Sequence, residues 1–221
     1  QIPEDEPAWQ IYKDKPWGKD AKVAAAMDTM MDRQVGEITA LLKKLGIYDN
    51  TLMFFTSDNG AAKRFDGVHN SCGVMQGHKR SLNEGGIRVP MVVRWPGKIK
   101  PGSVSAHPWY FPDVMPTLAE IADVSKEVPK DIDGISVLPT LLGKGKQRQH
   151  EYMYWQFGVR AARSGKWKGI GKGGHMYLYD LSKDMAEKND LSAKHPEIAA
   201  KFKRHITEGY REPRSQKDDG K

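Results

Sequence analysis

Between Ser57 and Pro90 the sequence gathers side chains suited to holding a hard cation and an anionic group. Asp58 and Asn59 are adjacent and followed by Gly60, and together they offer a carboxylate and an amide carbonyl, the oxygen donors that calcium or magnesium prefers. Taken alone, Asp-Asn-Gly is more often an Asx turn, in which these groups hydrogen-bond their own backbone. Lys79 stands five residues before Glu84 in the run Gly77-His-Lys-Arg-Ser-Leu-Asn-Glu-Gly-Gly-Ile-Arg-Val-Pro90. A lysine beside a metal binds an anion as a compact point charge, whereas a surface lysine keeps its head in water. Gly85 and Gly86 after Glu84 point to a close backbone approach, and Arg88 is placed to pair with a carboxylate and fix that turn.

These residues need elements to position them. From Asp20 to Leu45 the apolar positions Val23, Met27, Met30, Met31, Val35, Ile38, Leu41, Leu42 and Leu45 recur at three- and four-residue steps, which predicts one helix with a buried stripe. Its methionines read as core filler, and Gly46 as the residue that ends it. Thr51 to Thr56 is an almost continuous apolar run with β-branched and aromatic members, the pattern of a strand covered on both faces. Helix, short turn and buried strand form half of a parallel α/β unit, and sites in such sheets lie beyond the carboxyl ends of the strands, here at Ser57–Gly60. Gln1 to Trp17 reads as an extended surface segment, and residues 61–84 as a long functional loop. Val89 to Trp95 reads as a second buried strand, and Phe111 to Val124 as a short helix with Val114, Leu118 and Ile121 on one face. The Gly, Lys, Arg and Gln shift at Gly143 to His150 marks a boundary. Beyond it, Glu151–Phe157, Arg160–Ile170 and Met176–Leu181 predict an antiparallel meander, closed by a helix from Pro196 to Tyr210 and a charged, frayed tail from Glu212.

Composition narrows the classes. At 221 residues, with 38% hydrophobic, the chain can bury a core. No run of about 18 apolar residues occurs, so no membrane-spanning helix is expected. Cys72, the single cysteine, excludes an internal disulfide framework without fixing the compartment. The net charge of +7 would favour anionic partners. The basic residues are scattered among 28 acidic ones, however, so a solvated surface accounts for most of the excess and no nucleic-acid partner is expected.

The order Asp49-Asn-Thr-Leu-Met-Phe-Phe-Thr-Ser-Asp-Asn-Gly60, Gly77-His-Lys79, Glu84-Gly-Gly-Ile-Arg-Val-Pro90 and Arg94-Trp-Pro-Gly97 resembles the type I sulfatases. Each piece is weak alone; the four in this order and spacing are specific. Tyr110-Phe-Pro-Asp113 with Pro116-Thr-Leu118, and Asp131-Ile-Asp-Gly134 with Ser136 and Leu138, are similar to the family's segments after the site. Arg163-Ser-Gly-Lys-Trp-Lys168, Tyr177-Leu-Tyr-Asp-Leu181 and Asn189-Asp-Leu191 are similar to its C-terminal subdomain. The fold the resemblance implies is α/β: residues 1–146 as the C-terminal portion of an alkaline-phosphatase-like α/β sandwich, and 147–221 as a small subdomain of antiparallel strands and a closing helix. It carries Asp58 and Asn59 over as two calcium ligands (magnesium being the alternative) and Lys79 as the sulfate contact.

Family members use a formylglycine made within a Cys/Ser-x-Pro-x-Arg motif, and this chain has no such motif. Cys72, in Asn70-Ser-Cys-Gly-Val-Met75, lacks the proline and the arginine and reads as an ordinary loop thiol. The chain is therefore expected to be the C-terminal half of a longer enzyme, inactive alone, with the formylglycine, the remaining calcium ligands and further basic residues upstream. By resemblance the complete protein is periplasmic or secreted and acts on a sulfated small molecule or glycan. Two other readings remain: a phosphoester or phosphodiester hydrolase of the same superfamily, and a non-catalytic module that binds sulfated glycans through its basic surface. Trp155 and His175 are possible sugar-pocket residues, although packing is the commoner role for such a tryptophan. His78 is left out of the site.

Overall fold

The computed structural model describes residues 2–65 and 67–212, so most of the tail expected to fray lies outside the described residues. The first segment is not extended. Pro7–Tyr12 forms a short helix, α1, with Pro7 in its first turn and the Glu6 side chain accepting from the Ala8 N–H at 3.1 Å. It packs on the long helix α2 (Lys19–Lys44) through a two-pronged Arg33–Glu6 contact at 2.8 and 3.3 Å and a Tyr12–Thr29 hydroxyl pair at 2.9 Å. Gly46, at φ +71°, stops α2 in a Schellman motif: its N–H donates to the Lys43 carbonyl and that of Ile47 to the Leu42 carbonyl. The periodicity found the helix but not its covering. Met27, Met31, Ile38, Leu41 and Leu45 are exposed, and the buried positions are Ala21 and Ala26.

Strand β1 (Met53–Thr56) pairs antiparallel with β2 (Met91–Arg94), Phe54 opposite Val93. This corrects the expectation of a parallel unit covered on both faces. The two strands form their own two-stranded sheet, and Phe55 and Val92 are exposed. Between them, residues 57–90 run through short 3₁₀ turns to a one-turn helix, α3 (Glu84–Ile87). After β2 comes α4 (Val114–Ile121), whose Leu118 is exposed; its buried side is polar instead. The fully buried Asp113 accepts from the N–H groups of Tyr110 and Ile135 at 3.0 and 2.8 Å and meets the His150 ring at 2.9 Å. Thr117 accepts from the Val137 N–H, which seats the following loop and α5 (Leu138–Leu142).

The second half is a four-stranded antiparallel meander, β3 (Met153–Phe157), β4 (Val159–Ser164), β5 (Trp167–Lys172) and β6 (His175–Asp180), adjacent in that order. The run expected over Arg160–Ile170 is two strands, because Gly165 at φ +55° turns the chain. Alternation gives the sheet two distinct faces. On one, Ala162 and Leu178 pack with Phe202 of the closing helix α6 (Pro196–Glu208), and Gly169 leaves the space that the Phe202 ring fills. On the other, Ala161, Ile170, Tyr179 and Leu181 pack against Leu82 and Ile87 of the site segment. The apolar core thus joins the sheet to the very loop that carries Lys79.

Candidate functional site

Strand β1 delivers Ser57, Asp58, Asn59 and Gly60 at its carboxyl end. The turn is closed by Ser57, whose hydroxyl donates to the Asn59 carbonyl at 2.8 Å. With that turn closed, and among the described residues, neither the Asp58 carboxylate nor the Asn59 amide makes a side-chain hydrogen bond or ion pair. The Asx-turn alternative is therefore not the one adopted. Lys79 is held through its backbone, its N–H donating to the Ala61 carbonyl at 2.8 Å, while its ammonium group extends without an ion pair among the described residues.

Asp58, Asn59 and Lys79 line one cleft of about 710 Å³. Its opposite wall comes from β3 and the segment before α4: Trp109, Tyr110, Trp155 and Phe157, with His107 and Arg163 at its polar edge. The Tyr110 and Trp155 rings meet edge to face at 5.7 Å. Burial pushes the Tyr110 phenol up, with Asp133 and Asp113 adding to the shift, so Tyr110 is a neutral wall rather than a base. Burial, reinforced by His150, lowers the His107 pKa against the opposing pull of Asp113. Trp155 thus lies in the cleft. His175 does not line it; at the start of β6 it bonds Asp190 at 2.8 Å. His78 is likewise not among the lining residues.

The donor set fits a hard cation in part. A carboxylate and an amide oxygen, both without internal partners, are suitable calcium or magnesium ligands, but two residues fall short of the six to eight oxygens calcium takes. No cluster of three or more His, Cys, Asp or Glu side chains suited to a metal occurs among the described residues. Cys72 lies in a turn of this loop and is buried, its S–H pointing at the Gly85 carbonyl at 3.5 Å.

Glycine contacts explain the rest of the architecture. The Gly60 N–H donates to the Gly86 carbonyl at 2.9 Å, and a Cβ on Gly60 would lie 1.9 Å from the Gly85 carbonyl oxygen. A Cβ on Gly85 or Gly86 would strike the carbonyls of Gly77 or Ser81, on either side of Lys79. Helix α3 is therefore wedged between the Asp58–Asn59 turn and the Lys79 loop.

A profile described as Sulfatase matches residues 10–124, just over half of the chain. The chain belongs to the sulfatase family. A second profile, the C-terminal region of N-sulphoglucosamine sulphohydrolase, matches residues 76–212 of this sulfatase chain. Rat steryl-sulfatase is 41% identical over 129 residues, covering 56% of this chain and 22% of the relative. The N-acetylgalactosamine-6-O-sulfatase of Bacteroides thetaiotaomicron is 35% identical over 198 residues, covering 76% and 38%. The structure of Ps i-CgsB in complex with k-i-k-neocarrahexaose superposes with a TM-score of 0.78 at 27% identity, over 94% of this chain and 46% of that one. The chain spans less than half the length of these relatives. Its mixed α/β architecture with antiparallel sheets is that of a sulfatase C-terminal part.

Sequence reasoning missed one group near the site. Lys168, on β5, is completely buried, and its ammonium lies 2.8 Å from a carboxylate oxygen of both Glu84 and Glu187. A signal existed. Once β4 and β5 are paired, Arg163 and Lys168 stand directly opposite on one face, and two cations so placed require an anion between them. Glu84 is that anion, with Arg163 at 4.0 Å and Arg88 at 3.2 Å from its other oxygen. Burial raises the Glu84 pKa, but Lys168, Arg163 and Arg88 outweigh it, and the net shift is downward.

Proposed function

We propose that the complete protein is a sulfuric ester hydrolase acting on a sulfated carbohydrate, and that this chain supplies part of its cation and sulfate site. The observation that carries the reading is the convergence of an unpaired carboxylate, an amide and an ammonium group on one cleft with an aromatic wall. Asp58 and Asn59 would hold the cation, and its charge would stabilise the negative charge that grows on the sulfate oxygens. Lys79 binds a sulfate oxygen as a point charge, stronger in the transition state as the ester oxygen departs. Trp155 offers a flat apolar face to a sugar ring. The nucleophile, a formylglycine, and the rest of the cation shell come from elsewhere in the protein, because no Cys/Ser-x-Pro-x-Arg run occurs in this sequence. A glycan substrate is supported by the B. thetaiotaomicron relative and the neocarrahexaose complex. We further propose a periplasmic or secreted location, where such polymers are met.

The test is turnover of a sulfated hexosamine and of an aryl sulfate by the complete protein. Replacing Lys79 by Ala should lower kcat/KM by about 10²- to 10³-fold. Asp58→Ala should abolish most calcium affinity and Asn59→Ala less of it, since a charged ligand outweighs a neutral one for a hard cation. The isolated chain should be inactive, since catalysis needs the nucleophile held against the sulfate. Turnover undiminished by Lys79→Ala would refute the assignment, and hydrolysis of phosphate esters without any sulfate turnover would favour the phosphoester alternative.

A further inference from the structure

Lys168 is a completely buried charge, and nothing about sheet formation requires it. It joins two carboxylates that lie far from each other in sequence. Glu84 begins α3, and Glu187 sits in the loop after β6, 84 and 103 residues apart from their respective partners Lys168 and Glu84. The second Glu187 oxygen accepts from the Glu84 N–H at 2.7 Å, and the Glu187 carbonyl accepts from the Gln76 side chain at 3.1 Å. Glu187 adopts φ +52°, a left-handed conformation costing about 1–2 kcal/mol for a residue with a Cβ. That strain is retained where the side chain is fixed by its partners.

A buried ionic cluster of this kind is poor evidence of stabilisation, since apolar replacements of similar volume are often neutral or better. What it does supply is direction. Each carboxylate accepts at a fixed place, so the start of α3 is pinned to β5 on one side and to the residue 184–187 turn on the other. The pinned element is the wedge between the two halves of the candidate site. Gly86 accepts from Gly60, the neighbour of Asn59, while the Gly85 N–H donates to the Gln76 carbonyl at 2.7 Å, three residues before Lys79. The Lys79 N–H bonds the Ala61 carbonyl directly, so α3 is the second tie between the turn and the loop, and a shift of α3 tilts one against the other about that bond.

We infer that Lys168 is a positioning residue: by joining Glu84 and Glu187 it sets the separation between the Asp58–Asn59 turn and Lys79, and so links the C-terminal sheet to the cation and sulfate site. The inference rests on the proposed function for what the site binds, but the geometric part stands apart from it and is read without activity.

Two variants of the complete protein test it. Lys168→Met leaves the buried Glu187 carboxylate without its cation and Glu84 with only Arg88 and Arg163, and should lower the melting temperature. The double variant Lys168→Met, Glu187→Gln removes the stranded charge while Glu84 keeps Arg88 and Arg163, and should regain most of the lost melting temperature. In both, amide hydrogen exchange should accelerate by about tenfold or more in peptides covering 57–62 and 76–88, while peptides of α6 keep their protection. A general loss of stability would instead accelerate all of them together. Calcium affinity, measured by calorimetry, should fall about 10- to 100-fold in the double variant, the usual cost of losing outer support for ligands. Wild-type exchange at 57–62 and 76–88 in a folded double variant would overturn the inference. If the wild-type protein itself binds no calcium and turns over no sulfate, the proposed function fails, and the exchange data still decide whether Lys168 holds the wedge.

Discussion

Gly60→Ala is the sharpest probe of the wedge. Gly60 is not in a left-handed conformation, so alanine is compatible with its backbone and only the contact is tested. The added Cβ would lie 1.9 Å from the Gly85 oxygen and 2.8 Å from its carbonyl carbon, whereas real Cβ contacts essentially never fall below 3.0 Å. The first of these contacts alone requires about 1 Å of movement, and both neighbours are backbone, so no side chain can swing aside. Overpacking of this kind costs about 1–3 kcal/mol, which for a protein of this size corresponds to a fall in melting temperature of very roughly 2–12 °C. The effect on chemistry should be larger than the effect on stability. A displacement of about 1 Å between catalytic groups can cost about 10²-fold in rate. In the complete protein we therefore expect kcat/KM to fall by about two orders of magnitude while the protein remains folded at 25 °C, read by circular dichroism and initial rates on an aryl sulfate. A variant with wild-type melting and a rate within twofold of wild type would mean that α3 does not sit against the turn as described.

Phe202→Ala should destabilise the C-terminal half by about 3–5 kcal/mol, since the ring is buried between β4, β5 and β6, and a denaturation midpoint shift measures it. His205, stacked on Tyr152 at 4.2 Å, has its pKa lowered below 6.5 first by burial and then by Lys201. The folded state thus resists the proton that the unfolded chain accepts, so stability should decline as pH falls below about 6.5 and level off once pH passes the folded-state value. His205→Phe should flatten that part of the stability–pH curve, and an unchanged slope would assign it to other groups.

The legible parts of the fold were those whose pattern is local. The existence of α2, its glycine stop, the antiparallel run of strands and the α6 stripe of Ile198, Phe202 and Ile206 follow from local patterns and turn residues. Burial was less legible, because an apolar stripe declares that it can be covered and not that this chain covers it. Met27, Ile38 and Leu41 remain exposed for that reason. The direction of β1 was misread because an apolar run carries no information about its partner, and the partner, β2, lies 35 residues or more along the chain. At the site, the adjacency of Asp58 and Asn59 and the glycines around α3 could be read directly. Lys168 could not be placed, since an isolated lysine in a strand looks solvated until its cross-strand neighbour Arg163 and the distant Glu84 are brought beside it.

The wedge also bears on the order of events during synthesis. Its last partner, Glu187, is translated 103 residues after Glu84. At a synthesis rate of about 5–20 residues per second, the ribosome needs on the order of 5–20 s to travel between them. Through that interval the turn carrying Asp58 and Asn59 is tied to the Lys79 loop by local backbone bonds, the Lys79 N–H to the Ala61 carbonyl among them, but α3 between them lacks its far anchor. The candidate site, assembled in this order, gains its last outer support only when the C-terminal sheet and Glu187 are in place.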